Sequence, residues 1–125
     1  MTLGKLAIAP VCPSAFMNYL ASFMPHDHFA RFADFYPFYL AEHRTAACRR
    51  LHFLGTGLVV LLLLAAIATG WWWFAAFMPL AGYTFAWIGH LVFEHNEPAT
   101  FRHPFYSLAA DFVMFRDILI GRIRF

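Results

Sequence analysis

The sequence predicts an all-α, polytopic membrane protein built on a transmembrane helical hairpin, with interfacial or re-entrant helices flanking it. Three observations lead there. From Phe53 to Phe93 no Asp, Glu, Lys or Arg appears. That length suits two spans of about 20 residues, each rising 1.5 Å per residue through roughly 30 Å of hydrocarbon. Thr69-Gly70 interrupts the run and Trp71, Trp72 and Trp73 follow; glycine allows a sharp turn and indoles favour headgroup depth. Only 13% of the 125 residues are charged, against about a quarter in a soluble domain. A hairpin buried in a soluble bundle is the alternative, but so short a chain has little else to cover both helices.

One domain is expected: a hairpin over 53–93, a basic connector over 44–51, a polar segment over 94–103 and a C-terminal helix over 104–121. Pro10 and Pro13 make the start irregular, and no signal-peptide pattern is visible there. Ser14 is placed to cap a helix from Ala15 to Met24. His26 and His28 flank Asp27 in a polar break and read as solvent-facing. Phe29 to His43 is aromatic-rich, interfacial and interrupted at Pro37. Arg44, Arg49 and Arg50 precede the first span, Arg102 follows the second, and the tip between carries no Lys or Arg. The positive-inside rule then puts the open end of the hairpin in the cytoplasm. In the last segment Ser107 and Asp111, four apart, share a helix face. Asp111, Arg116 and Asp117 make a lipid-exposed span there costly.

Sixteen phenylalanines and four tryptophans suit contact with membrane lipids. The net charge is +2 and no basic patch runs through polar residues, so nucleic acid is not an expected partner. Cys12 and Cys48 form neither a disulfide framework nor a CxxC metal site, and read as ordinary thiols.

Histidines mark the candidate site. His52 lies 18 residues before Gly70 and His90 lies 20 after it. Equal rise on both arms brings the two within about 3 Å of one depth, at the open end. At 100° per residue Glu94 stands about 40° from His90, and His95 about 140°. Glu94 is thus the easier partner of His90, and His95 joins only if the helix unwinds. His43 and His52 point to opposite sides of an unbroken helix, so a common centre requires a bend near Thr45-Ala46. Such imidazoles with a carboxylate suit Fe(II), Mn(II) or Zn(II). The same groups also suit plain hydrogen-bonded helix packing. Glu42, Glu97, Asp111 and Arg102 are placed to orient imidazoles or meet a substrate carboxylate, or simply to face the surface.

At these residues the sequence resembles a family of small membrane proteins, once a domain of unknown function, that includes the yeast endoplasmic-reticulum 2-hydroxy fatty acid dioxygenase. The likeness runs from about Phe35 to Ile123. It is carried by Tyr39-Leu-Ala-Glu-His43, by Arg49-Arg-Leu-His52-Phe-Leu-Gly55-Thr and by Gly89-His90-Leu-Val-Phe-Glu94-His-Asn-Glu-Pro98-Ala99. Pro104-Phe-Tyr-Ser-Leu and Asp111-Phe-Val-Met-Phe add to it. Thr45 and Ala46 stand where members often have Asn-Pro.

The resemblance implies Fe(II)-dependent α-oxidation, in which a 2-hydroxy fatty acid and dioxygen give the acid one carbon shorter. It implies His43, His52 and His90 as metal ligands and catalytic residues. Glu94 follows as ligand or base, and His95 as a lesser ligand. Arg49, Arg50 or Arg102 would pair with the substrate carboxylate. The acyl chain would lie between the hairpin and the terminal helix, with the head at the cytoplasmic face, and a bacterial inner membrane is expected. The alternatives are a non-enzymatic lipid-binding or assembly protein, and another metal-dependent lipid enzyme such as a hydroxylase.

Overall fold

The computed structural model describes residues 29–125. The irregular start, the helix expected over Ala15 to Met24, Cys12, and the His26 and His28 pair lie outside the described residues. Among the described residues every regular element is helical.

Helix α1 (Phe32–Glu42) opens on an ion pair, Arg31 Nε to Asp34 Oδ2 at 3.1 Å. It continues through Pro37, where an interruption was expected. The proline is on the exposed side and removes one backbone bond, while Phe35 and Tyr39 on either side are buried and hold the helix in place.

The hairpin arms are α2 (Ala46–Thr69) and α3 (Trp73–Ile88). Between them Gly70 takes φ 71° and donates its N–H to Ala66 O, so the turn uses the left-handed conformation that glycine adopts without a Cβ penalty. Helix α2 starts earlier than the expected span, placing Arg49 and Arg50 in its first turns rather than in a separate connector. The cause is a cap: Thr45 Oγ accepts the Cys48 N–H at 3.2 Å. Near the open end the arms touch closely, for a Cβ on Gly55 would stand 2.9 Å from the Cβ of Phe85.

Helix α3 passes directly into a π-helical stretch, Gly89–Glu94. A 3₁₀ turn (Ala99–Phe101) leads to α4 (Pro104–Leu119). Helix α4 crosses the open end. Its Asp111 meets His52, its Phe115 stacks on Phe53 at 4.6 Å, and Phe125 beyond its end reaches Phe53 and Arg50. The apolar core also sits at this end, where Phe35 and Tyr39 of α1 pack with Ala99, Ala110, Met114 and Ile118.

Toward the tip the hairpin is bare. Leu61, Ile67 and Leu80 are 64, 63 and 65% exposed, and the tryptophans at the tip more so. Two helical stretches, Ala46–Thr69 and Trp73–Glu94, are long and apolar enough to cross a membrane, and their most apolar windows are only 22 and 17% buried. A core helix of a soluble protein would be covered.

Candidate metal centre

The break between α1 and α2, residues 43 to 45, supplies the bend that a common centre requires. His43 caps the end of α1 and turns inward, 1% exposed. His52 comes from the second turn of α2 and His90 from the π-helical stretch, 6 and 2% exposed. Their rings meet at one place: His43 lies 4.4 Å from His52 and 4.5 Å from His90, and His52 lies 5.2 Å from His90.

Each ring is held by its outer nitrogen. His43 Nδ1 is 2.6 Å from the Tyr39 carbonyl, which can only accept. His52 Nδ1 is 2.8 Å from Asp111 Oδ1, a carboxylate oxygen that also accepts the Tyr39 hydroxyl. His90 Nδ1 is 2.7 Å from Asn96 Oδ1. The Asn96 amide is oriented in turn, because its Nδ2 donates to Glu42 O and Oε2 at 3.1 and 2.7 Å. All three Nδ1 atoms are therefore donors, so all three Nε2 atoms carry lone pairs.

Those lone pairs converge. His43 Nε2 and His52 Nε2 face each other at 3.1 Å, and with both Nδ1 atoms donating, two neutral rings have no proton to place between them. Two acceptors at that distance repel unless a cation lies between or beside them, and about 3 Å is the separation of two nitrogens bound about 2.1 Å from one ion. Imidazoles tied at one nitrogen to carboxylate, amide or carbonyl oxygen are the usual arrangement of metal ligands. The residues fit a metal ion.

Cys48 completes the group. One turn before His52 on α2 and fully buried, it offers Sγ, and the ligand atoms of His43, Cys48, His52 and His90 all lie within 4.8 Å of one another. Sulfur packs against Gly89, where a Cβ would come within 2.9 Å of it. The sequence reading passed over this thiol; its i, i+4 relation to His52 was the available signal.

Glu94 and His95 are not brought into this cluster. The Glu94 carboxylate accepts the Thr45 N–H at 2.6 Å and Thr45 Oγ–H at 2.8 Å, with Arg44 Nε at 3.9 Å. It thereby locks the start of α2. Those two bonds to Thr45, not its angle around the helix, turn the buried Glu94 carboxylate toward the start of α2. His95 ends the stretch at φ 56° and is exposed. Its N–H and that of Asn96 both turn back to His90 O, and this folds the Asn96 side chain onto His90.

The arginines lie around the centre rather than in it. Arg49 donates to the His43 and Arg44 carbonyls at 3.1 and 2.7 Å and to Arg124 O at 3.2 Å. Arg50 sits over the Phe125 ring and donates to its carbonyl. Arg102 borders a 240 Å³ cavity with Glu42, Glu97 and His103.

Burial first, then the neighbouring imidazoles of His52 and His90, hold the His43 pKa well below its usual value. The ring is thus neutral and available as a ligand. Burial, then the Asp111 charge, raises the Tyr39 hydroxyl well above the usual phenol value, so it stays a donor.

Beside the centre runs an apolar groove of about 460 Å³. Val59 of α2, Met78, Gly82 and Ala86 of α3, and Leu108 and Phe112 of α4 line it, and so does Asp111, the carboxylate that holds His52.

An apolar helical hairpin that carries three tethered imidazoles and a thiol at its open end defines a membrane-type metalloprotein. The chain belongs to the Mpo1-like family: the family model described as 2-hydroxy-palmitic acid dioxygenase Mpo1-like matches residues 29–123. No curated protein and no solved structure matches the chain significantly. Family and centre together make it a metal-dependent enzyme of the dioxygenase type.

Proposed function

We propose that the chain is an Fe(II)-dependent dioxygenase that shortens 2-hydroxy fatty acids by one carbon at a membrane surface. The convergence of three Nε2 lone pairs, each fixed by a bond at Nδ1, carries this reading. His43, His52 and His90 would hold the metal, with Cys48 as a fourth donor. Ferrous iron, when bound, supplies the one-electron chemistry that dioxygen needs, which zinc lacks.

The reaction balances without another reductant. R–CH(OH)–COOH plus O2 gives R–COOH, CO2 and H2O; the substrate gives up four electrons and dioxygen takes four. The family description, with its hydroxy-acid substrate, favours this over hydroxylation of a plain acyl chain.

The chain's own residues do the positioning. Asp111 and Asn96 fix the ring directions of His52 and His90, and the Tyr39 carbonyl fixes that of His43. The groove between hairpin and α4 takes the acyl tail, which delivers the polar head to the centre. Hairpin and lipid are matched in the same way: α2 and α3 cross the bilayer, and the open end, with Arg44, Arg49, Arg50 and Arg102, faces the cytoplasm of a bacterial inner membrane.

The test is metal analysis of the purified protein followed by turnover. Iron-loaded protein is expected to convert 2-hydroxypalmitic acid to the acid of fifteen carbons, consuming about one O2 per product, as the balanced equation requires. Palmitic acid should not react. Full turnover by metal-free protein would remove the redox part of the reading, and hydroxylated palmitic acid as the product would replace it with a hydroxylase.

A further inference from the structure

Ser107 is 2% exposed, and its hydroxyl alone among the buried side-chain oxygens and nitrogens of the described residues has no hydrogen-bond partner. Its backbone N–H bonds to His103 O at 2.9 Å, yet Oγ does not bond back to that carbonyl. A buried hydroxyl left so is costly, and it asks for an explanation.

Its position offers one. Ser107 lies one turn before Asp111 on α4, about 6 Å along the helix axis. Around the helix it lies about 40° from Asp111 and about 60° from Pro104 at 100° per residue. Pro104, Leu108, Asp111 and Phe112 line the apolar groove. Ser107 is not itself a lining residue: it stands just behind that wall, one turn from the carboxylate that holds His52, on the buried side of α4 with Ala110 and Met114.

We propose that Ser107 is a substrate-binding residue whose hydroxyl hydrogen-bonds the polar head of a 2-hydroxy fatty acid lying in this groove. The inference rests on the function proposed above. The lining gives the tail apolar surface, and a fatty acid has polar atoms only at its head. A substrate carboxylate arriving beside Asp111 meets a like charge and needs a donor. Ser107 is the buried hydroxyl with nothing yet to donate to.

The measurement is binding without chemistry: metal-loaded full chain in detergent, without oxygen, titrated with 2-hydroxypalmitic acid. Ser107→Ala is expected to weaken binding about tenfold, the effect of one lost hydrogen bond to a charged group. Metal content should not change, and Tm should stay level or rise because an unsatisfied hydroxyl is removed. Leu108→Trp, which narrows the groove, should weaken 2-hydroxypalmitic acid more than 2-hydroxyoctanoic acid. Equal affinity of wild type and Ser107→Ala overturns the assignment, and a lowered Tm with unchanged affinity marks Ser107 as merely structural. Tight binding by wild type with no carbon lost in air would strike the dioxygenase reading and leave Ser107 in place. No binding by wild type overturns both.

Discussion

Asp111 serves two groups at once: Oδ1 accepts the Tyr39 hydroxyl and the His52 Nδ1–H. Replacing it by Asn keeps the shape and removes the charge that makes His52 a stronger donor to metal. Loss of such a partner typically costs 10–100-fold in metal affinity, so Asp111→Asn should release its metal to a chelator at about that lower concentration, with the fold intact. Unchanged retention would mean that His52 needs no orienting carboxylate. His43 gives a pH prediction. Its folded pKa lies below the unfolded value of about 6.5, so the unfolded chain takes the proton first as pH falls. Stability of metal-free protein should be full above that pH and decline beneath it toward the folded pKa. Unfolding at pH 7.5 and 5.5 checks this, and His43→Asn should flatten the difference; equal slopes would reject it. The shared level of His52 and His90 is readable from their distances to Gly70, because helical rise is fixed. The clamp of Glu42 on Asn96 on His90 is not readable, since it depends on one left-handed residue, His95.

Elements were legible where periodicity decides and obscure where a local irregularity does. The hairpin and its turn follow from an uncharged run broken by glycine. The π-helical stretch after Ile88 leaves no mark in the residue pattern, and neither do the bonds from Thr45 that draw Glu94 away from the imidazoles. Pro37 misleads in the opposite sense, because burial of Phe35 and Tyr39 outweighs one lost backbone bond. The close approach of α2 and α3 gives the prediction at this scale. Gly55→Ala would press a methyl to 2.9 Å from the Phe85 Cβ, an atom fixed to the backbone. Overpacking of that kind costs about 1–3 kcal/mol, read as a lower unfolding free energy in detergent. Gly82→Ala is the control, since its new Cβ would meet Val59 at an ordinary 3.6 Å. If both variants unfold alike, the arms are not in the tight contact described.

At the scale of the whole molecule, polarity is divided along the hairpin. The core, the three clustered imidazoles and Arg44, Arg49 and Arg50 gather at the open end, and the tip shows three tryptophans exposed by 68, 69 and 78%. Water is a poor solvent for such a surface, because burying it gains about 25 cal/mol per Å². Lipid is the better solvent for it. In the orientation proposed above, the tip crosses to the far headgroup layer and the cations stay where they were made, which is the positive-inside rule in physical form. In that proposed orientation the centre lies where a fatty acid keeps its head, at the border of lipid and water. An epitope inserted after Gly70 should therefore be reached from the outside of intact spheroplasts, whereas one joined after Phe125 should need permeabilised cells. Arg49 and Arg50 hold the chain end against α2, so the second tag reports the side on which the centre lies. Both tags reached from one side would mean that the hairpin does not span, and the exposed apolar band would then need a protein partner in place of lipid.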